Sequence, residues 1–222
     1  MKTSEDLRSA LDTVDWDDPH RGPQASRQAL RALAANRALL TELVEAVPRK
    51  PELMRRCEQY PVMSRLVLAE HPHGTWGLRM HIFHGVERDL IPHTHKRPFA
   101  SHILAGGYLH AWHRRTDHQS AGPFTAADLT PAIVSLEAPG SDYTLQDPLV
   151  HQTIMDAGTV TLFLSGPDRQ PTWWAATDMG GEVQLLKQDD KSNRSFAMTP
   201  DGHTAIATML SAHGIINGRT AL

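Results

Sequence analysis

The 222-residue chain has a single cysteine, Cys57, and little charge of one sign. One cysteine cannot close an intramolecular disulfide, and it cannot supply the several thiolates of a cysteine-rich metal site. The chain carries 22 lysines and arginines against 25 aspartates and glutamates, so its formal net charge at pH 7 is -3. The broad basic field of a nucleic-acid-binding protein is therefore missing, and a small molecule is the better candidate partner.

Long apolar runs are also missing. No run approaches the roughly 18 residues that a membrane span requires. The first 22 residues are acidic and have no apolar core segment, so they do not predict a secretory signal. We therefore expect a cytoplasmic protein without membrane contact. With 40% hydrophobic residues, the length favours one substantial domain with a helical appendage.

Helical periodicity is confined to the two ends of the chain. Residues 24–47 carry leucines and valines at spacings of three, four and seven between Pro23 and Pro48, which predicts one amphipathic helix. A shorter helix is expected over 51–59. Near the other end, Thr199 followed by a proline is a good helix start and predicts a C-terminal helix.

Between these ends the pattern changes to short β-rich runs such as RLVLAE, WGLRMHIFH and TVTLFLSG, with a last run at EVQLLK. Turn signals such as APGSD and GPDRQP separate them, and this density of strands without helical patterns predicts a mainly β, antiparallel sandwich or barrel. The predicted organisation is an N-terminal helical segment over 1–60, a β-barrel over 61–190, and a C-terminal helix and tail over 191–222.

Histidine is abundant, with 14 residues, and three of them form a candidate metal site. His93 and His95 lie two positions apart, so on a strand their imidazoles point the same way. His151, placed after a turn at the start of a predicted strand pair, offers a third ligand. Three neutral imidazoles suit zinc, iron, copper or nickel, and without a fourth protein ligand they leave positions open for water, substrate or oxygen. Such an open site is typical of catalysis.

Two other histidine pairs are weaker candidates for a metal site. HPH at 71–73 lies in a predicted proline-glycine turn. His81 and His84 are three positions apart, so on a strand they point to opposite faces.

The order of features around His93 and His95 resembles the cupin superfamily. An apolar strand and a proline precede HTH, a strand ending in LAGGYL follows, and His151 comes later before a hairpin. The resemblance covers roughly residues 64–187. It implies a cupin-type jelly-roll barrel, metal binding by His93, His95 and His151, and a homodimer.

One departure from the usual cupin pattern narrows the resemblance. A glutamate ligand usually stands seven residues before the motif's glycine, and Phe99 stands at that place before Gly106. A site with histidines alone is similar to that of the cysteine-dioxygenase-like thiol dioxygenases, which bind ferrous iron. Arg65 then lies at the position that binds the substrate carboxylate in that group. A planar guanidinium can hold a carboxylate through two hydrogen bonds.

Another feature of the thiol dioxygenases does not match. The histidine and tyrosine of their serine-histidine-tyrosine relay correspond to Phe163 and Ser165, and the cysteine that some members cross-link to the tyrosine corresponds to Phe99. The sequence therefore favours a substrate larger or more apolar than cysteine. Phe99, Phe163 and Met155 could line its pocket, together with Trp173 or Trp174.

His102 is the remaining candidate in this stretch. It is expected to share a face with His110 and Trp112 and to act either as a hydrogen-bond donor to a metal ligand or as a proton shuttle. A purely structural role is the alternative.

The leading hypothesis is a mononuclear non-haem Fe(II) oxygenase, with O2 as co-substrate, that acts on a small amino- or thiol-bearing acid. Arg65 and His102 are its candidate catalytic residues. One alternative keeps the site but uses zinc, nickel or iron for an isomerase, lyase or hydrolase reaction. A second alternative is a non-catalytic cupin that binds a small ligand.

Overall fold

The computed structural model describes residues 1–119, 121–176 and 196–218, with the backbone alone at 87–90. Within these ranges no helix is long and apolar enough to span a membrane. The α-helices are α1 (Ser4–Asp12), α2 (Arg21–Ala34), α3 (Arg37–Ala46), α4 (Pro51–Met54) and α5 (Pro200–Ala212). Short 3₁₀ helices occupy Val47–Arg49 and Ala126–Asp128.

Eleven strands in the described part of the chain form two antiparallel sheets. They are β1 (Glu58–Gln59), β2 (Met63–Glu70), β3 (Gly77–Phe83), β4 (Glu87–His93), β5 (Phe99–Ala105), β6 (Tyr108–Arg115), β7 (Leu129–Glu137), β8 (Asp142–Leu145), β9 (Val150–Met155), β10 (Val160–Ser165) and β11 (Phe196–Ala197). The larger sheet has the order β11-β1-β2-β3-β10-β5-β8, and the smaller has the order β4-β9-β6-β7. A pocket lined by residues of both sheets lies between them. The predicted mainly β, antiparallel jelly-roll fold is confirmed.

The helical prediction over 24–47 is wrong in one respect, because α2 and α3 are separate helices. The chain turns at Ala35 and Asn36, and the Asn36 side chain accepts a hydrogen bond from the Leu39 backbone N–H at 3.0 Å. An asparagine at this place caps the next helix better than it continues the previous one. The helix predicted over 51–59 is shorter than expected, since α4 ends at Met54 and β1 follows.

The sequence pattern does not predict the first helix, α1, because its apolar stripe is short. Thr3 begins it with a capping box, in which the Thr3 hydroxyl accepts from the Asp6 N–H and the Asp6 carboxylate accepts from the Thr3 N–H. Leu7 and Leu11, one turn apart, are its buried residues.

One face of the seven-stranded sheet forms the hydrophobic core with the helices. On β3, Leu78, Met80 and Ile82 alternate with polar residues and are almost completely buried, in one cluster with residues of α1, α2, α3 and α5. Leu162 on β10 joins the same cluster. Each side chain of this size contributes roughly 1.5–3 kcal/mol on burial. This apolar face holds the helices on the sheet.

The opposite face of the same sheet points toward the smaller sheet. Arg79 and His81 on β3, and Thr161 and Phe163 on β10, line the pocket between the two sheets. Side chains on a strand alternate between faces, so these residues occupy the positions between the core residues. The sheet therefore separates an apolar helical layer from a polar cavity.

The turn between β5 and β6 depends on glycine. Gly106 has φ +70°, and a Cβ built on it would lie 2.6 Å from the Thr159 Cα. The Thr159 hydroxyl also accepts from the Gly107 N–H and donates to the Gly107 carbonyl. A side chain at Gly106 would therefore break the contact that joins this turn to the start of β10.

Both terminal segments contribute to the larger sheet. β1, from the segment predicted over 1–60, pairs with β2 on one side and with β11 on the other, and β11 falls in the segment predicted over 191–222. The domain limits stay a prediction. The strand predicted at EVQLLK, residues 182–187, lies outside the described residues.

Candidate metal centre

Three histidines meet between the two sheets. His93 ends β4, His95 follows two residues later, and His151 on β9 lies opposite His93 in the sheet register. The centroids of the three imidazoles are separated by 4.8, 4.9 and 5.0 Å, so the rings form a nearly equilateral triangle. One ring nitrogen of each lies within 4.8 Å of the other two. The structure thus brings together the three ligands predicted from the sequence.

The backbone around His93 and His95 is fixed from two sides. The Thr94 N–H donates to the Trp174 carbonyl at 2.8 Å, and the Trp174 N–H donates back to the Thr94 hydroxyl at 2.9 Å. The His95 N–H donates to the Asp147 carbonyl at 3.2 Å. Thr94 points away from the triangle, as the alternation of a strand requires, and its hydroxyl anchors the segment.

The register of β4 changes just before His93. Asp89 lies opposite Thr153 and His93 lies opposite His151, so β4 takes four residues where β9 takes two. This irregularity resembles a β-bulge, a feature that redirects side chains near sites.

The three imidazoles fit a divalent transition-metal ion. Nε2 of His95 and Nε2 of His151 lie 2.7 Å apart, close to the roughly 3 Å between neighbouring ligand atoms that are each about 2.1 Å from an ion. Burial lowers the pKa of His95 and of His151 well below the ordinary 6.5, and the neighbouring histidines lower both further. Both rings are therefore neutral at pH 7, which is the form that binds metal.

Two of these rings have a hydrogen-bond partner at Nδ1, so Nε2 is the nitrogen that each can offer to an ion. Nδ1 of His93 lies 3.0 Å from the Ile91 carbonyl, to which it can only donate. Nδ1 of His151 lies 2.8 Å from Nε2 of His110 on β6. Such partners fix the tautomer and the orientation of a ligating imidazole.

The pocket beside the triangle has a volume of about 450 Å³. The histidine triangle occupies one part of its wall, and Arg65, Arg79 and His81 line another part. These three come from the neighbouring strands β2 and β3, with Arg65 directly opposite His81 and Arg79 two residues before His81. The pocket therefore has a basic region in addition to the histidine triangle.

Arg65 lines this basic region, as its predicted role in binding a carboxylate requires. One Nη donates to Glu58 at 2.7 Å, and the guanidinium lies 5.4 Å from the centre of the Tyr60 ring. Its Nε is buried and has no hydrogen-bond partner among the described residues. Nε2 of His81 is also buried and also has no hydrogen-bond partner among the described residues. Two buried polar atoms without partners beside one pocket are a costly arrangement, which a polar ligand would relieve if a small movement of the two side chains exposed these atoms to it.

Arg79 adds a positive charge that the sequence analysis did not anticipate. One Nη donates to the Ser165 hydroxyl at 2.8 Å, and the other lies 3.6 Å from Glu70. Burial, with a further contribution from the nearby Arg65, lowers the pKa of Arg79 to about 10, while Glu70 opposes the change. The guanidinium remains charged at pH 7 and would gain from an anion in the pocket.

The predicted pocket residues Phe99, Phe163 and Met155 all line the pocket. The rings of Phe99 and Phe163 form a continuous wall with two histidines. The ring of His95 lies 4.7 Å from Phe99, Phe99 stacks on Phe163 at 4.6 Å, and Phe163 stacks on His81 at 4.8 Å. This wall leads from the histidine triangle to the basic region.

The tryptophans suggested for the pocket lie elsewhere. Trp173 is 38% exposed and has its ring 6.4 Å from His93, while the backbone of Trp174 holds Thr94. Neither belongs to the residues that line the pocket.

His102 does not lie where the sequence analysis expected it. It lies on β5 between Ser101 and Ile103, and its Nδ1 is 3.7 Å from Asp142, whose carboxylate also pairs with Arg31 of α2. Ser101, not His102, lines the pocket, so His102 points to the helical side of the sheet. The expectation that it shares a face with His110 fails because the glycine turn places them in different sheets.

Sequence reasoning missed the role of His110, Tyr108 and Tyr143. His110 contacts His151, whereas the two tyrosines line the pocket and the Tyr108 hydroxyl donates to the Tyr143 hydroxyl at 2.7 Å. Burial raises the pKa of both phenols, so they are neutral hydrogen-bonding groups. Tyr143 lies on β8, and only the pairing of β8 with β5 brings it to the site.

Comparison with known proteins gives likeness of fold only. No family model matches the sequence, and no curated protein matches it. Among solved structures the chain is similar to KdgF from Halomonas sp., with 15% identity over 50% of this chain and 88% of the other, at a TM-score of 0.36. An RmlC-like cupin from Shewanella frigidimarina matches with 11% identity, 51% and 84% coverage and a TM-score of 0.37. Hydroxypropylphosphonic acid epoxidase from S. wedmorenis matches with 10% identity, 49% and 53% coverage and a TM-score of 0.36.

Proposed function

We propose that this protein is a mononuclear Fe(II) oxygenase that acts on a small amino- or thiol-bearing acid. The observation that carries the proposal is the pocket itself, which has a triangle of three imidazoles and, beyond an aromatic wall, a basic region. His93, His95 and His151 would hold the ion, which supplies redox chemistry with dioxygen when bound.

Arg65 would bind the carboxylate of the substrate. Its Nη is held by Glu58, which fixes the plane of the guanidinium, and its buried Nε lacks an acceptor among the described residues. Once a small movement of the side chain exposes Nε to the pocket, a carboxylate oxygen would supply that acceptor and would receive charge-assisted hydrogen bonds. His81, whose Nε2 is also buried without a partner, could hydrogen-bond the same group.

The aromatic wall would determine the size of the substrate. Phe99 and Phe163 separate the triangle from His81, and Met155 lines the same pocket. An acid that reaches from the triangle to Arg65 must pass these rings, so the pocket favours a substrate with an apolar body. The wall would also exclude water from the reacting groups.

The test uses full-length protein purified without chelators and loaded anaerobically with ferrous ion. Oxygen uptake is then measured against a panel of amino acids and thiol-bearing acids of increasing apolar size. We expect uptake that depends on both iron and an acid, and its loss in His151→Ala together with stoichiometric iron. Wild-type protein that holds no stoichiometric metal, or a His151→Ala variant with full metal and activity, would overturn the ligand set.

A non-oxidative isomerase, lyase or hydrolase that uses zinc, nickel or iron at the same residues is the competing proposal. The same panel separates the two reactions, since a non-oxidative enzyme converts its substrate without oxygen. Turnover that is equal with and without oxygen would replace the oxygenase by this second reaction class.

A further inference from the structure

Two buried side chains that do not line the pocket, His110 and Glu137, extend the polar contacts of His151 across the smaller sheet. Nδ1 of His151 lies 2.8 Å from Nε2 of His110, and Nδ1 of His110 lies 3.7 Å from the Glu137 carboxylate. The Ser135 hydroxyl donates to the same Glu137 oxygen at 2.7 Å. These residues lie on β9, β6 and β7, which are neighbours in the sheet.

We propose that His110 and Glu137 are positioning residues that hold His151 in the one tautomer able to bind metal. The inference rests on the proposed function only in taking His151 as a ligand. A neutral imidazole carries one proton, and a ligating nitrogen must be free of it. If Nε2 of His151 binds the ion, its proton is on Nδ1 and needs an acceptor.

His110 is the acceptor that the structure provides. Accepting at Nε2 leaves the proton of His110 on Nδ1, the nitrogen that faces Glu137. That Nδ1 is buried and has no hydrogen-bond partner within normal distance among the described residues. A small movement toward the carboxylate would satisfy it. The two imidazoles therefore have one consistent arrangement of protons, which ends at a carboxylate.

The surroundings hold His110 in this orientation. Its side chain is completely buried, and its ring lies 4.2 Å from the Trp112 ring and 4.6 Å from the Tyr143 ring. Glu137 is 8% exposed and fixed by Ser135. A ring packed in this way can orient its neighbour, because rotating it would disturb two aromatic contacts.

The tautomer of His93 is set differently from that of His151, and the difference shows why His151 depends on its contact with His110. The Nδ1 of His93 contacts a backbone carbonyl, Ile91, which can only accept. Its tautomer is thus set by the main chain and no single side-chain change removes the acceptor. His151 relies on the side chain of His110 instead. Outer partners of ligating histidines typically change metal affinity by about 10- to 100-fold when removed.

The experiment compares variants of His110 in the full-length protein by their affinity for Co²⁺ and Zn²⁺, measured in competition with a chromophoric chelator. His110→Leu removes the acceptor and is expected to lower affinity about 10- to 100-fold. His110→Gln supplies an amide oxygen that can accept from His151 and is expected to restore most of the affinity. Glu137→Gln keeps a hydrogen-bond acceptor but removes the charge, so a smaller loss, about threefold to tenfold, is expected.

His113→Leu is the matched control. His113 lies on the same strand as His110 and also bonds a residue of β9, with Nε2 3.0 Å from Gln152, but on the opposite face of the sheet. The affinity of the His113→Leu variant for both ions should equal that of the wild type. The Co²⁺ absorption spectrum provides a second readout, because a misplaced His151 changes the ligand field in His110→Leu, whereas His113→Leu leaves it unchanged.

The outcomes separate this inference from the proposed function. If His110→Leu binds both ions as tightly as the wild type, or if His110→Gln binds as weakly as His110→Leu, the positioning role is wrong while the oxygenase proposal stands. If the affinities follow the expected order but no acid supports oxygen uptake, the positioning role stands and the oxygenase proposal fails. Absence of metal binding in the wild type overturns both. Should His110→Leu fail to fold, the comparison of His110→Gln and Glu137→Gln with the wild type decides.

Discussion

The two faces of the seven-stranded sheet come from the same strands and have opposite properties. On β3, Leu78, Met80 and Ile82 are buried under the helices, while Arg79 and His81 between them face the pocket. Because side chains alternate along a strand, each strand can supply the core and the site at once. Stability in this protein therefore comes mainly from the helical side, which leaves the pocket side free to carry costly polar groups.

The largest expected effect comes from a cavity on the helical side. Leu162→Ala removes a fully buried side chain of β10 and should lower the free energy of unfolding by about 2–5 kcal/mol. Phe163→Leu, one residue later and on the pocket side, should cost less than about 1.5 kcal/mol. Urea denaturation of both metal-free variants measures the difference. Equal losses would contradict the separation of roles between the faces.

Substitutions on the pocket side should instead change the binding of the substrate. Arg65→Met removes the donors offered to a carboxylate and should raise the KM of the best acid in the oxygen-uptake panel by roughly 10- to 100-fold, as expected for about 1.5–3 kcal/mol. The free energy of unfolding should change by only about 1 kcal/mol or less, because the pair with Glu58 is partly exposed. Arg65→Lys keeps the charge but not the planar guanidinium, so its KM should lie between those of the wild type and Arg65→Met. A KM equal to that of the wild type in Arg65→Met would remove Arg65 from the site.

The polar residues of the pocket side should make the metal-free protein sensitive to acid. Burial lowers the pKa of His81 well below 6.5, and Arg65 and Arg79 lower it further. Below pH about 6.5 the unfolded chain therefore binds a proton that the folded one excludes, so stability falls as the pH decreases. His81→Gln should flatten the dependence of the unfolding free energy on pH between about 5 and 6.5, by up to about 1.4 kcal/mol per pH unit.

The control for this measurement is His73→Gln, in which an exposed histidine is replaced. Urea denaturation of the metal-free proteins across the same pH range should give this control the slope of the wild type. If His81→Gln keeps the wild-type slope as well, the burial of a neutral His81 is not a source of acid sensitivity.

The smallest expected effect lies on the outer face of the four-stranded sheet, which no helix covers among the described residues. Leu136 on β7 is 70% exposed, next to Leu109 at 47% and Val134 at 65%. Leu136→Thr should change the free energy of unfolding by no more than about 0.5 kcal/mol, since it removes no buried contact. A loss above about 1 kcal/mol that depends on protein concentration would show that a second copy covers this face.

The sequence predicted the parts of the fold and site that depend on local periodicity. His93 and His95 share a face because they are two residues apart, and the strand-rich pattern predicted the antiparallel jelly roll. His151 is predicted from its place after a turn at the start of a predicted strand pair, and the resemblance in the order of motifs supports it. Metal binding by these three residues and anion binding by Arg65 stay predictions.

The positions of His102, His110 and Tyr143 depend on which strands are neighbours in the sheets. The pattern of a single sequence does not show how strands pair. Period two shows which residues share a face but does not show which face looks inward, and this is why His102 was expected at the site that Ser101 lines. His110 became important only because β6 pairs with β9. Tyr143 reaches the pocket only because β8 pairs with β5.

The register change in β4 has a consequence for how the site can vary among related chains. The strand takes two more residues than β9 between Asp89 and His93, and two is an even number. An even insertion returns the following side chains to their original direction, whereas an odd one keeps both imidazoles in the pocket only if a bulge absorbs the extra residue. Homologous sequences that keep the HTH pair should therefore either differ here in steps of two residues or carry such a bulge before His93.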